Sequence, residues 1–165
     1  MNIFLPYEDS PTLSAQVLDD KRLLKQILET RQILQVAEGA SEGFKNHPIT
    51  QHYLPYKAFL AYYGISCCLE YQYRFKKIHK CFDYFCEKNT IGWEQYIPFY
   101  AAGAKNSPDC IRTTENISKL YQDKLCEKWQ EDIAKGRPPK WTNRLPPEFY
   151  YKKYWRNEKN EQRSI

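Results

Sequence analysis

The densest group of reactive side chains in this sequence lies between residues 18 and 26, where two acids and three bases interrupt a run of leucines. If residues 13–34 form one helix, its apolar residues form a stripe that extends about 60° to either side of a line along the helix. Asp20 and Arg31 fall at the centre of this stripe. Desolvating a lone carboxylate or guanidinium is costly, so each must be paired, hydrogen-bonded or open to a wet cleft. The pattern predicts a site with Asp20 facing inward, beside Arg31 or the N-terminal segment. The apolar members of the stripe are Val17, Leu24, Ile27, Leu28 and Leu34.

Asp19 and Asp20 are the two carboxylates between residues 18 and 26. Lys21, Arg22 and Lys25 form a positive rim that either holds a phosphate or balances the acids. Arg22 lies about 180° from the stripe and is either a phosphate contact or a solvated arginine. Further along, Gln26 and Glu29 either orient a base edge or are ordinary surface residues.

The turn formed by Asn46, His47 and Pro48 is a second candidate, in which His47 has either a structural or a catalytic role. Together with the cysteines, His47, His52 and His79 lack zinc-site spacing, so we expect neither a metal nor another cofactor.

The positive charge is concentrated near the C-terminus. The net charge is +5, yet residues 1–110 carry 12 basic and 12 acidic side chains, whereas residues 111–165 carry 13 and 8. Residues 135–156 interleave seven Lys or Arg with aromatic side chains. This mixture is typical of nucleic-acid binding, in which cations meet phosphates and rings meet bases. Alternatively, the aromatic side chains pack on the core.

Local signals predict an all-α, single-domain protein over residues 1–165, with an extended basic and aromatic tail at 136–165. Ser10 and Pro11 are typical of a helix start, and we expect one helix from there to about Glu38. Further helices are predicted from Pro55 to about Phe75, over 81–88 and over 114–135. The sequence has no long apolar run and no signal-peptide pattern, and its cysteines lack a disulfide framework. We therefore expect a cytoplasmic monomer with reduced thiols, in a cell or in a virus-infected cell.

Several segments carry a family resemblance. They are residues 1–7 (MNIFLPY), 18–26 with Glu29, the Asn46–Pro48 turn, the pair Tyr63 and Gly64, and the later segments 121–128 and 150–154. In these segments the chain resembles bacterial and phage pyrimidine-dimer DNA glycosylases, the T4 endonuclease V-like family. The resemblance implies a compact helical protein whose N-terminus threads between helices.

The resemblance also implies a mechanism, in which the N-terminal amine attacks the deoxyribose C1′, a Schiff base forms and the backbone breaks by β-elimination. With Ser10 taken as the equivalent cap, the family's catalytic glutamate falls on Leu23, or on Leu24 after a shift of one residue. Asp20 and Asp19, one turn earlier, are then the expected carboxylates. Asn2 is too large for ordinary methionine removal, so Met1 is the expected amine, with a processed Asn2 as the alternative.

These arguments predict a DNA N-glycosylase, with possible lyase activity, for a damaged or modified pyrimidine in duplex DNA. A non-catalytic DNA-binding protein and a glycosidase for a modified nucleoside or nucleotide are the alternatives. The candidate catalytic residues are Asp20, Asp19, Met1, Asn2 and His47. The candidate DNA contacts are Lys21, Arg22, Lys25, Gln26, Arg31, Asn46, Lys140, Arg144, Lys152 and Lys153.

Overall fold

The computed structural model describes residues 1–89 and 116–151, and these segments are helical with no strand. The protein is therefore all-α, as predicted. The helices are α1 (Pro11–Val17), α2 (Asp20–Ala37), α3 (Pro48–Tyr53), α4 (Lys57–Phe75), α5 (Phe82–Lys88) and α6 (Ile117–Ala134). Within the described segments, no helix is both long and apolar enough to cross a bilayer.

The predicted single helix from Pro11 to Glu38 is wrong, because the chain breaks between α1 and α2. Ser10 does cap α1, with its Oγ accepting from Leu13 N at 3.2 Å. Leu18 and Asp19 are extended, with ψ of 140° and 160°. Leu18 is fully buried at this break. The backbone N–H of Asp20, the first residue of α2, donates to the carbonyl of Lys140 at 2.8 Å. A partner far along the chain thus stabilises a break that local propensity does not signal.

The buried face of α2 also differs from the predicted stripe. Leu24 and Leu28 are 39% and 47% exposed, whereas Leu23 is fully buried. The polar side chain of Gln26 is buried on the same helix. The reason is that the N-terminal segment covers this face of α2, and its backbone needs polar partners there.

Helix α4 is the central helix and packs against α1, α2 and α5. A Cβ added at Gly64 would lie 2.4 Å from the Phe85 ring, so glycine is what lets α5 approach α4 this closely. The core shared by these helices includes Ile3, Leu5, Leu23, Ile27, Leu60, Tyr63 and Phe85.

The described part of the C-terminal segment packs on the helices. Trp129 of α6 is fully buried, and the rings of Trp141, Phe149 and Tyr150 lie 5.0 to 5.9 Å from its ring centroid. For these three side chains the core-packing alternative is confirmed over base stacking. Tyr154 and Trp155 lie outside the described residues.

Candidate active site

The N-terminal segment threads between α2, α4 and α6, which hold its backbone by side-chain hydrogen bonds. From α2, Gln26 accepts from Phe4 N at 2.8 Å and donates to Asn2 O at 2.8 Å. From α4, the Tyr63 hydroxyl donates to Phe4 O at 2.8 Å, and from α6, Gln122 Nε2 donates to Pro6 O at 2.9 Å. The first residues are therefore placed by three helices at once.

This threading brings the start of the chain to Glu29 of α2. The amino nitrogen of Met1 lies 3.5 Å from Glu29 Oε1, and Asn2 N donates to Glu29 Oε2 at 3.2 Å. The Met1 side chain is only 4% exposed, and its sulfur accepts from Thr50 Oγ1 at 3.4 Å. The buried side chain anchors Met1, while its amine faces a carboxylate.

The amine and Glu29 line a cleft of about 440 Å³. Its other walls come from the first turns of α2, the end of α6 and Arg137. Six cationic side chains and three carboxylates line it, so the cleft suits an anionic ligand. The cations are Lys21, Arg22, Lys25, Lys128, Lys135 and Arg137, and the carboxylates are Glu29, Glu131 and Asp132.

Asp19 and Arg22 belong to a buried ion-pair network below this cleft. Arg22 Nη1 lies 3.1 Å from Asp19 Oδ1 and 2.9 Å from Asp132 Oδ2, and Trp129 Nε1 donates to Asp19 at 2.7 Å. Burial raises the pKa of Asp132, but hydrogen bonds and charge from Arg22 and Lys21 outweigh it and lower the pKa below its usual value. Arg22 was expected on the face opposite the apolar stripe, exposed or bound to phosphate. It is instead buried, since two aspartates pair with it.

Asp20 points toward α4 and the C-terminal segment. Its Oδ1 lies 2.9 Å from Arg74 Nη1, and its Oδ2 accepts from Thr142 Oγ1 at 2.6 Å. Arg74, whose side chain has no exposure, also pairs with Glu70 at 2.7 Å. The predicted inward orientation of Asp20 holds, but the predicted neighbours, Arg31 and the N-terminal segment, are wrong. Asp20 and Arg31 are eleven residues apart in α2, which is about 16 Å along the helix axis, and the carboxylate of Asp20 meets Arg74 and Thr142 instead.

The remaining candidates lie in other surroundings. His47 caps α3, its Nδ1 accepting from Ile49 N at 3.1 Å, and Asn46 is exposed beside it. Arg31 contacts Cys81 Sγ at 3.8 Å and the Tyr84 ring. None of these three lines the cleft. Within the described segments no cluster of three or more potential metal ligands occurs.

The basic residues of the C-terminal segment that were predicted to contact DNA also lie in different surroundings. Arg144 pairs with Glu70 at 2.9 Å and lies 3.9 Å from the centroid of the Tyr73 ring, so the fold already uses its charge. Lys140 is exposed and lines a second cleft of about 280 Å³ that shares Lys21, Asp132 and Arg137 with the first. Lys152 and Lys153 lie outside the described residues.

Glu29, Lys128 and Lys135 line the cleft but were not among the site residues predicted from the sequence. Glu29 was grouped with Gln26 but was not proposed as the acid. One signal was available: Gln26 and Glu29 are three residues apart, so both face the same neighbour on a helix. Lys128 and Glu131 show the same three-residue spacing on α6, and Lys135 follows four residues later as the C-cap of that helix.

The fold and the site together define an all-α protein in which a chain-terminal amine, a glutamate and a cationic cleft meet. The chain belongs to the pyrimidine dimer DNA glycosylase family, whose sequence profile matches residues 1–83, just over half of the protein. The match includes Met1, Gln26 and Glu29, whereas the cations of α6 lie beyond it. No match was found among curated proteins or among solved structures.

Proposed function

We propose that the protein is a DNA glycosylase with lyase activity that removes a damaged or modified pyrimidine from duplex DNA, using the amine of Met1 and the carboxylate of Glu29. The family membership supports DNA as the substrate. The observation that carries the proposal is the 3.5 Å contact between that amine and Glu29 Oε1 in a cleft rich in cations.

The amine supplies the nucleophile. A peptide α-amino group is a weaker base than a lysine side chain, which favours an α-amine over a lysine as the nucleophile. The amine nitrogen forms a bond to C1′ as the C1′–N bond to the base breaks, and the base leaves with the electron pair and takes up a proton. Glu29 Oε1 accepts the proton that the amine loses.

The C1′–O4′ bond then breaks as the nitrogen lone pair forms the C=N bond, and O4′ leaves with the C1′–O4′ electrons and takes up a proton. The product is a protonated imine between the amine and C1′. Loss of a C2′ proton and departure of the 3′ phosphate oxygen with the C3′–O electrons complete β-elimination. Hydrolysis of the imine releases the protein. We propose that Glu29, the carboxylate in contact with the amine, shuttles protons at each of these steps, a role that was predicted for Asp20 from the sequence.

The cleft supplies binding. Lys21, Lys25 and Lys128 are at least half exposed and can contact phosphates while Glu29 stays buried beneath them. A base must leave the stack before an amine can reach C1′, and neutralised phosphates favour the distorted strand. Asn2 N also contacts Glu29, so removal of Met1 would present a second amine to the same carboxylate.

Borohydride trapping tests the proposal. The protein is incubated with duplexes that hold a thymine dimer, an abasic site or no damage, and borohydride reduces any imine to a stable adduct. We expect an adduct with the abasic duplex and with at least one modified pyrimidine, and none with undamaged DNA. Tight binding without an adduct would instead support a non-catalytic DNA-binding protein. Loss of the adduct in competition with a modified mononucleotide, but not with duplex DNA, would support a nucleoside glycosidase.

A further inference from the structure

The carboxamide of Gln26 is held in a single orientation by four groups. Its Oε1 accepts from Phe4 N at 2.8 Å and lies 3.0 Å from the Tyr63 hydroxyl. Its Nε2 donates to Asn2 O at 2.8 Å and to Glu29 Oε2 at 3.3 Å. Because a backbone N–H only donates and a carbonyl only accepts, reversing the amide would place like groups together. Gln26 is only 1% exposed, so water cannot replace these hydrogen-bond partners.

This fixed amide makes the two oxygens of Glu29 unequal. Oε2 accepts from Gln26 Nε2 and from Asn2 N. Oε1 lies 3.5 Å from the Met1 amine and 3.7 Å from Lys25 Nζ. One oxygen is thus occupied by neutral donors of the protein interior, and the other faces the cationic groups of the cleft.

We propose that Gln26 is a positioning residue that anchors Oε2 of Glu29 and so reserves Oε1 for proton exchange with the amine of Met1. This role rests on the proposed function. Gln26 also holds Asn2 and Phe4, so the same side chain fixes the amine and the carboxylate relative to each other. Gln26 was predicted from the sequence to contact DNA, but its burial beneath the N-terminal segment does not favour such a contact.

Positioning of this kind acts on rate more than on affinity. A displacement of about 1 Å in a reacting group can lower a rate by about a hundredfold. DNA binding depends mainly on the exposed cations of the cleft, which Gln26 does not touch. A loss confined to the chemical step therefore separates a positioning role from general loss of structure.

Gln26→Glu is the sharpest variant, because it keeps the size and the Oε1 acceptor but replaces the Nε2 donor with an oxygen that repels Glu29. Gln51→Glu is its matched control: the same change removes a side-chain donor to a backbone carbonyl, that of Lys45, and Gln51 does not line the cleft. The measurements are affinity for an abasic duplex, the single-turnover rate of borohydride trapping at saturating DNA and the thermal unfolding midpoint.

We expect Gln26→Glu to slow trapping by about tenfold to a hundredfold, with affinity within about threefold of the parent. Gln51→Glu should trap at nearly the parental rate. If Gln26→Glu does not fold, the pair Gln26→Asn and Gln51→Asn replaces it, since asparagine keeps the amide but is too short to reach Glu29. Parental trapping rates in the Gln26 variant, or equal losses in both variants, would overturn the positioning role. No adduct with the parent protein would overturn the proposed function itself and this role with it.

Discussion

The amino nitrogen of Met1 and Oε1 of Glu29 lie 3.5 Å apart. The contact joins the start of the chain to the second half of α2, and the threaded N-terminal segment makes it possible. The aspartates at the start of α2 are instead committed to Arg22 and Arg74. Glu29 therefore replaces Asp20 as the carboxylate expected to carry the chemistry.

Glu29→Gln should remove the chemistry and keep the binding. The amide cannot accept a proton from the amine, so we expect the rate of imine trapping to fall by about a hundredfold or more. Single-turnover trapping and equilibrium binding of an abasic duplex measure the two effects.

Asp20→Asn is the comparison variant. It weakens the contacts with buried Arg74 and with Thr142, so the free energy of unfolding should fall by about 1–3 kcal/mol. Trapping per folded molecule should stay near the parental rate. A large loss of trapping in Asp20→Asn together with a normal rate in Glu29→Gln would return the catalytic role to Asp20.

The salt dependence of DNA binding should locate the groups that bind phosphate. Replacing both Lys135 and Arg137 by Gln should flatten the plot of log affinity against log salt by up to about 0.9 for each phosphate that the protein no longer neutralises. Arg144→Gln should leave the slope unchanged, because Arg144 already pairs with Glu70. Filter binding or fluorescence anisotropy over a salt series gives the slopes, and a flattened slope in Arg144→Gln alone would place the DNA on the other face.

Gly64→Ala should destabilise the protein although alanine favours helices. The added methyl group would overlap the Phe85 ring, and overpacking of a core costs about 1–3 kcal/mol. Gly43→Ala is the control, since its Cβ would meet only Ser41 Oγ at 3.4 Å. Urea unfolding should also show that Phe85→Leu in the same chain recovers part of the loss. A fully stable Gly64→Ala would mean that α4 and α5 are not in close contact.

Stability should decrease in mild acid because of His52. Burial lowers the pKa of this imidazole from 6.5 to about 4, so the unfolded chain binds the proton more tightly than the folded one. The contribution is fully present above pH 6.5 and is lost as the pH falls toward 4. Between pH 7 and pH 5 we expect a loss of about 2 kcal/mol in the free energy of unfolding. Urea unfolding of the parent and of His52→Gln should differ in this pH dependence, and parallel curves would contradict a buried neutral His52.

Local signals in the sequence predicted most of the helices. Ser10 and Pro11 mark the start of α1 because a side-chain cap and a fixed φ act within one turn. The end of α1 was not predictable in this way. Leu18 and Asp19 are extended because the carbonyl of Lys140, distant in sequence, accepts from Asp20 N. Because the break between α1 and α2 was not predicted, the buried face of α2 was assigned to the wrong residues.

The site was predicted in its components but not in its geometry. The amine of Met1 and the cations Lys21 and Lys25 were identified from the sequence, and all three line the cleft. Glu29 was not among the predicted catalytic residues, because only the path of the N-terminal segment shows which carboxylate the amine meets. That path depends on Gln26, Tyr63 and Gln122, whose roles arise from tertiary contacts that no local pattern encodes.

The identity of the residue that carries the trapped DNA tests most directly whether the α-amine of the first residue is the nucleophile. After borohydride reduction, nuclease digestion and proteolysis, tandem mass spectrometry locates the sugar remnant on one peptide, and the intact mass shows whether Met1 is retained. We expect the remnant on the α-amine of the first residue, with none on lysine side chains. A remnant on Lys21 or Lys25 with an unmodified first residue would contradict this expectation.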